Sequence, residues 1–132
     1  MDQGPLVMEE VDMGAKLARE FDNYAPIKVA FWLKASDDDH RYLYLASDQI
    51  DDTNFDLAYG EVARLSDRFR SPFFDPFRVK VISSQDPLAQ AAVDINRRFP
   101  TQIPARLRGQ MFGGIFVDDV YIYPPTLQVA AS

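Results

Sequence analysis

Five short segments of the chain alternate apolar and polar residues with a period of two, as strands with one buried side do. These segments are Ile27–Lys34, Arg41–Ala46, Phe77–Ile82, Arg106–Met111 and Val120–Tyr123. In each segment one set of alternate positions is apolar, and the sets include Phe31, Leu43, Val79, Leu107 and Ile122. We predict that these five side chains are buried in one core beneath the helices.

Three amphipathic segments complete the secondary structure. The spacing of apolar residues predicts helices over about Leu6–Asn23 and Asn54–Arg70. A third helix has the clearest start, because Asp86 can cap it and Pro87 suits its first position. The predicted order is αββαβαββ. It indicates an α+β, two-layer fold in which three helices cover one face of a mainly antiparallel five-stranded sheet.

Two tight turns are expected between neighbouring strands. The acidic segment Ser36–His40 joins the first two strands, because Asp and Ser side chains bond to nearby backbone amides in turns. The last two strands are joined at either Gly113-Gly114 or Asp118-Asp119. Two glycines satisfy a primed hairpin turn more easily. We nevertheless favour Asp118-Asp119, because that turn leaves Ile115 and Val117 to a longer strand.

Length and composition restrict the class of protein. A chain of 132 residues fits a single domain, 1–132, with short flexible termini at about 1–5 and 126–132. No apolar run reaches the roughly 18 residues of a membrane span, and the acidic N-terminus does not resemble a signal peptide. The absence of cysteine suits a cytoplasmic protein. The net charge of −6 argues against a general nucleic-acid binder, although it allows a local basic face.

We find no motif for catalysis or for cofactor binding. The single histidine, His40, has no serine in a nucleophile elbow to pair with, and glycine-rich phosphate loops are absent. We interpret Asp37–His40 as a solvated turn and predict no metal there. One alternative stays open: Asp48 and the pair Asp118-Asp119 are residues that an Asp-based, metal-dependent hydrolase or nucleotide-processing enzyme uses.

The polar sides of the strands carry an unusual number of aromatic and basic residues. If the strands share a sheet, one face collects the candidate binding residues Trp32, Tyr42, Tyr44, Lys34, Arg78, Lys80, Tyr121 and Tyr123. Three interpretations remain open: a solvated sheet face, a protein interface, and a platform on which bases or nucleotides stack. We favour a non-catalytic binding module whose partner is itself or another protein.

Overall fold

The structure is a computed structural model that describes residues 6, 8–69, 78–99 and 103–124. Its order, αββαβαββ, confirms the predicted one. The helices and strands are α1 (Met8–Phe21), β1 (Ile27–Ala35), β2 (Tyr42–Ser47), α2 (Phe55–Phe69), β3 (Val79–Ser83), α3 (Pro87–Arg98), β4 (Ala105–Phe112) and β5 (Ile115–Ile122). The predicted strand residue Phe77, the predicted helix end Arg70 and both termini predicted to be flexible lie outside the described residues.

The five strands form one mixed sheet in the order β3-β2-β1-β5-β4. Three of the neighbouring pairs are antiparallel, and β3 runs parallel to β2. Helix α2 supplies the crossover that a parallel pair requires. Strand β1 is therefore central, while β4 and β3 are the edges. None of the described helices is long and apolar enough to cross a bilayer.

The buried side chains form two clusters rather than the single predicted core. One cluster combines Trp32 and Leu43 of the sheet with residues of α1 and α2. The other combines Phe31 and Ile122 with Ala89 and other residues of α3. Because Phe31 and Trp32 are neighbours in a strand, they point in opposite directions. The placement of all three helices on one face is therefore not confirmed.

The five predicted core residues are divided between these clusters. Phe31, Leu43, Val79 and Ile122 are buried, and Leu107 is half-buried. However, β1 and β2 pair so that Trp32 faces Leu43 and Phe31 faces Tyr44. Side chains directly opposite each other in a ladder share a face. The prediction that Phe31 and Leu43 share a face was therefore wrong. Both sides of β1 carry apolar residues, so alternation alone does not show which side faces which core.

The last turn is Gly113-Gly114, so the preference for Asp118-Asp119 was wrong. The two glycines have φ values of 58° and 92°, and a primed two-residue hairpin requires positive φ at both positions. Phe112 pairs directly with Ile115 across this turn. Asp118 and Asp119 lie inside the longer strand β5, where both carboxylates bind cations of neighbouring strands.

Helix α1 rests directly on the central strand at Gly14. The Nε1–H of Trp32 donates to the Tyr123 hydroxyl at 3.0 Å. That hydroxyl donates to the Val11 carbonyl oxygen at 2.6 Å, which couples the sheet to α1. A Cβ atom at position 14 would collide with the Tyr123 hydroxyl and would lie 3.0 Å from Trp32 Nε1. Glycine therefore allows the close approach, although it weakens the helix.

Replacing Gly14 and Gly60 by alanine should have opposite effects on stability. Gly14→Ala should lower the free energy of unfolding by about 1–3 kcal/mol, because overpacking displaces α1 from Tyr123. Gly60 lies in α2 with open space around its Cα. Gly60→Ala should therefore raise the free energy of unfolding by roughly 0.5–1 kcal/mol. Urea denaturation measures both. If both substitutions raise the free energy of unfolding equally, the close contact between α1 and β1 at Gly14 is contradicted.

Candidate functional site

Three of the proposed binding residues lie in the interior beside α1. Trp32 is only 4% exposed, Tyr123 is also buried, and Tyr121 is half-buried. The rings of Tyr121 and Tyr123 meet edge to face, with their centroids 5.3 Å apart. Burial raises the pKa of both phenols above its usual value. The bonds of Trp32 and Tyr123 to each other and to α1 make these two residues part of the core.

A second group, Tyr42, Tyr44 and Lys80, is separate from the first. Tyr44 is 7% exposed, and its ring stacks on Phe31 with the centroids 5.0 Å apart. Burial is the main cause that raises the pKa of Tyr44 to about 12. The ammonium of Lys80 lies 4.2 Å from the centre of the Tyr42 ring, a cation–π contact. These residues lie on the Phe31 side of the sheet.

The remaining two predicted residues, Lys34 and Arg78, do not join either aromatic group. Lys34 is buried, and its ammonium lies 2.8 Å from Asp118 Oδ2. The bond from Lys34, followed by the bond from Ser36, holds the pKa of Asp118 below its usual value. Arg78 is half-buried and comes just before β3. The eight residues therefore do not form the single exposed face that the sequence predicts.

The most exposed part of the sheet is the β4–β5 hairpin. Its base carries a group of charged side chains, because two rows of residues cross three strands there. One row places Trp32 beside Tyr121 and Tyr121 beside Arg106. The next row places Lys34 beside Asp119 and Asp119 beside Arg108. Both rows point to the same side of the sheet, so the two arginines of β4 flank Asp119.

Arg41, Arg106, Arg108 and Asp119 form what we call the arginine cluster. The Arg106 guanidinium donates to both oxygens of Asp119, at 3.1 Å from Nε and 2.8 Å from Nη2. Arg41 Nη2 lies 3.4 Å from the same carboxylate. The hydrogen bond to Asp119 is the main cause that raises the pKa of Arg106. Such bonds between ionised groups are strong and directional.

Arg108 is the outermost member of this cluster. Its Nε lies 3.9 Å from Asp119 Oδ1, and 71% of its side chain is exposed. Asp119 already receives two short bonds from Arg106. One carboxylate thus faces three guanidinium groups in the described ion pairs. In these described ion pairs three positive charges face one negative charge, on a chain whose net charge is −6.

The far end of the same hairpin is apolar and exposed. Met111 and Phe116 are paired across the two strands and are 59% and 53% exposed. Ile115, the neighbour of Phe116 in β5, is also exposed, but it shares the side of Phe112 and points the other way. We call these three residues the tip patch. Exposed apolar residues that are grouped mark interaction sites more often than isolated ones do, and here Met111 and Phe116 lie on one side of the tip.

An apolar groove of about 350 Å³ lies between β4 and the end of α3. Its lining consists of Ile95, Phe99, Ile103, Pro104, Ala105, Arg106 and Leu107. Two large side chains of this lining, Phe99 and Ile103, are mostly exposed. The volume is at the lower end of the range for ligand pockets. The groove is therefore large enough for one or two apolar side chains.

The aspartates of the enzymatic alternative are not brought together. Asp119 contacts Arg41, which precedes β2, whereas Asp48 follows the other end of that strand. A six-residue strand at about 3.3 Å per residue separates the two ends by roughly 20 Å. Asp48 instead accepts a hydrogen bond from Ser84. No group of three or more His, Asp or Glu side chains suited to a metal occurs within the described residues.

The sequence prediction did not include the tip patch, and it placed Asp119 in a turn or an enzymatic site rather than beside arginines. Met111 shares the alternating set of Leu107, which alternation predicts to be the core side of the strand. The alternation of Arg106 and Arg108 with Leu107 was the one available signal for the exposed side of β4. Comparison of the chain with known protein families, curated proteins and solved structures gives no match. Only the geometry therefore bears on the function.

Asp119 and Arg108 should contribute very differently to stability. Asp119→Asn keeps the shape but removes the negative charge that contacts the buried Arg41 and the more exposed Arg106, which should cost about 3 kcal/mol. Arg108→Gln removes a charge that is mostly exposed, so its cost should stay within about 0.5 kcal/mol. Urea unfolding measures both free energies. If Asp119→Asn costs no more than Arg108→Gln, the arginine cluster does not stabilise the hairpin.

Proposed function

We propose that this protein is a non-catalytic binding module that associates with a second copy of itself through the tip patch. One observation carries this proposal: Met111, Ile115 and Phe116 are all exposed at one end of the edge hairpin. The residues first proposed for contact are mainly buried, so the surface is placed on the hairpin instead. The protein is still proposed to be a binding module, but the tip patch replaces the aromatic and basic sheet face as its contact surface.

A second copy is a suitable occupant because an apolar patch can cover itself across a two-fold axis. In such an interface each residue meets the same patch of the partner. The turn Gly113-Gly114 adds no side chain that would hold two patches apart. Removing the large side chains of Met111 and Phe116 from water favours association, at roughly 25 cal/mol for each Å² that is buried.

Salt should strengthen this association. Two copies with a net charge of −6 each repel one another, and dissolved ions screen that repulsion. The tip patch has no charged residue of its own, so it has no ion pair to lose. Dimerisation that becomes tighter from 50 mM to 500 mM salt would match an apolar contact between two acidic chains.

Replacing both Met111 and Phe116 by serine should abolish the dimer. Sedimentation equilibrium should show a dimer for the wild-type chain and a monomer for the double variant, because most of the apolar contact area is gone. Leu57→Ser is the matched control, since Leu57 is an equally exposed apolar residue on α2. This control should remain a dimer.

Two outcomes would reject the proposal. The first is a wild-type chain that sediments as a monomer at all concentrations and salt levels. The second is a dimer that Met111→Ser with Phe116→Ser leaves intact, because association would then use another surface. Circular dichroism checks the fold of the double variant, which should be retained because both side chains are exposed.

A further inference from the structure

The outer backbone edge of β4 is a second surface of the hairpin, although Met111 at the far end of this strand also belongs to the tip patch. Among the described strands β4 pairs only with β5, so its other side has backbone groups that no described strand pairs with. An edge of this kind can accept an extended segment of another chain as an additional strand. Strand β4 spans Ala105–Phe112, which is long enough for several backbone hydrogen bonds.

The two sides of β4 differ in chemistry, and an added strand would meet both. Leu107 and Ala105 face the cluster that contains α3, where the apolar groove opens. Arg106 and Arg108 face the opposite side, around Asp119. Side chains of an added strand alternate with the same period of two. One set would enter the groove, and the other set would lie beside the arginines.

We propose that the β4 edge and the groove beside α3 bind an extended peptide in which apolar and acidic residues alternate. The peptide pairs with β4 as a sixth strand. Its apolar side chains occupy the groove lined by Ile95, Phe99 and Leu107. Its carboxylates bind the exposed guanidinium of Arg108 and the outer side of Arg106. Arginine suits this role because its planar fork matches a carboxylate.

Charge favours an acidic peptide over the other occupants of such an edge. Two β4 strands from two copies would bring Arg106 and Arg108 close to the same residues of the partner, and like charges in a ladder are unfavourable. A basic peptide meets the same repulsion. A nucleic acid strand would find phosphate partners in the arginines, but it has no apolar side chain for the groove at Phe99.

The test uses a synthetic peptide and a monomeric protein. The probe is a fluorescein-labelled heptapeptide, Ser-Glu-Leu-Glu-Leu-Glu-Ser, and its binding is measured by fluorescence anisotropy. The protein is the full chain with Met111→Ser and Phe116→Ser, so that failure of self-association and failure of peptide binding are separate results. The wild-type chain should bind the peptide equally well. Two further peptides carry either Lys in place of each Glu or Pro in place of the first Leu.

Two variants and their matched controls locate the binding. Arg108→Glu should weaken binding of the acidic peptide by about tenfold or more, while Arg64→Glu on α2 should not. Phe99→Ser should weaken binding by about tenfold through loss of the groove wall, while Leu57→Ser should not. All four side chains are mostly exposed, so the variants should fold. The lysine and proline peptides should bind at least tenfold more weakly than the acidic one.

Hydrogen exchange in the presence of the acidic peptide completes the test. Protection should increase at alternate amides of Ala105–Phe112, because the peptide pairs with the outward groups of this strand. The proposal is overturned if the acidic peptide does not bind at millimolar concentration, or if the lysine peptide binds as well. It is also overturned if neither Arg108→Glu nor Phe99→Ser changes the affinity, or if only a single-stranded oligonucleotide binds in an Arg108-dependent way.

Discussion

Strand β1 lies in the middle of the sheet with apolar side chains on both of its sides, and each side must be covered. Phe31 packs with residues of α3, and Trp32 packs with residues of α1 and α2. Burial of each of these rings is worth about 2–3 kcal/mol, so neither side is free to bind a partner. The positions of the helices and the remaining exposed surface both follow from this strand.

Trp32 is held more specifically than the other residues of β1. Its Nε1–H would be costly to bury without an acceptor, and the Tyr123 hydroxyl provides that acceptor. The same hydroxyl then binds the Val11 carbonyl, so that a single polar chain links β1, the end of β5 and α1. Gly14 allows α1 to come this close. A tryptophan that sequence patterning assigned to a partner thus serves to dock a helix.

Covering β1 leaves the β4–β5 hairpin as the accessible part of the sheet. The arginine cluster at its base, the groove beside α3 and the tip patch are three different chemical surfaces within one edge of the fold. The proposed self-association would use the tip patch, and the proposed peptide binding would use the other two surfaces. The positive arginines at the base then favour acidic partners. The negative net charge of the chain weakens contact between two copies at low salt.

Local patterns predicted the elements well, whereas contacts between distant residues escaped prediction. Asp86 and Pro87 marked the start of α3, and Asp86 does accept from the Leu88 amide at 2.9 Å. Alternation located the strands. It did not show which residues of β2 and β5 lie on the same face as Phe31 and which lie on that of Trp32, because both sides of β1 are apolar. Asp119 and Arg41 are 78 positions apart, and only strand order brings them together. The Gly-Gly pair was the correct local signal for the last turn, because both glycines adopt the positive φ that this turn requires.

Acrylamide quenching of Trp32 tests the central claim most directly, because this residue is the single tryptophan of the chain. The measurement should use the variant Met111→Ser with Phe116→Ser, in which a partner copy cannot shield the ring. If both sides of β1 are core, emission should be blue-shifted, and quenching should be weak until urea unfolds the protein. Red-shifted emission with strong quenching in the folded monomer would show that Trp32 lies on the surface, and it would contradict this account.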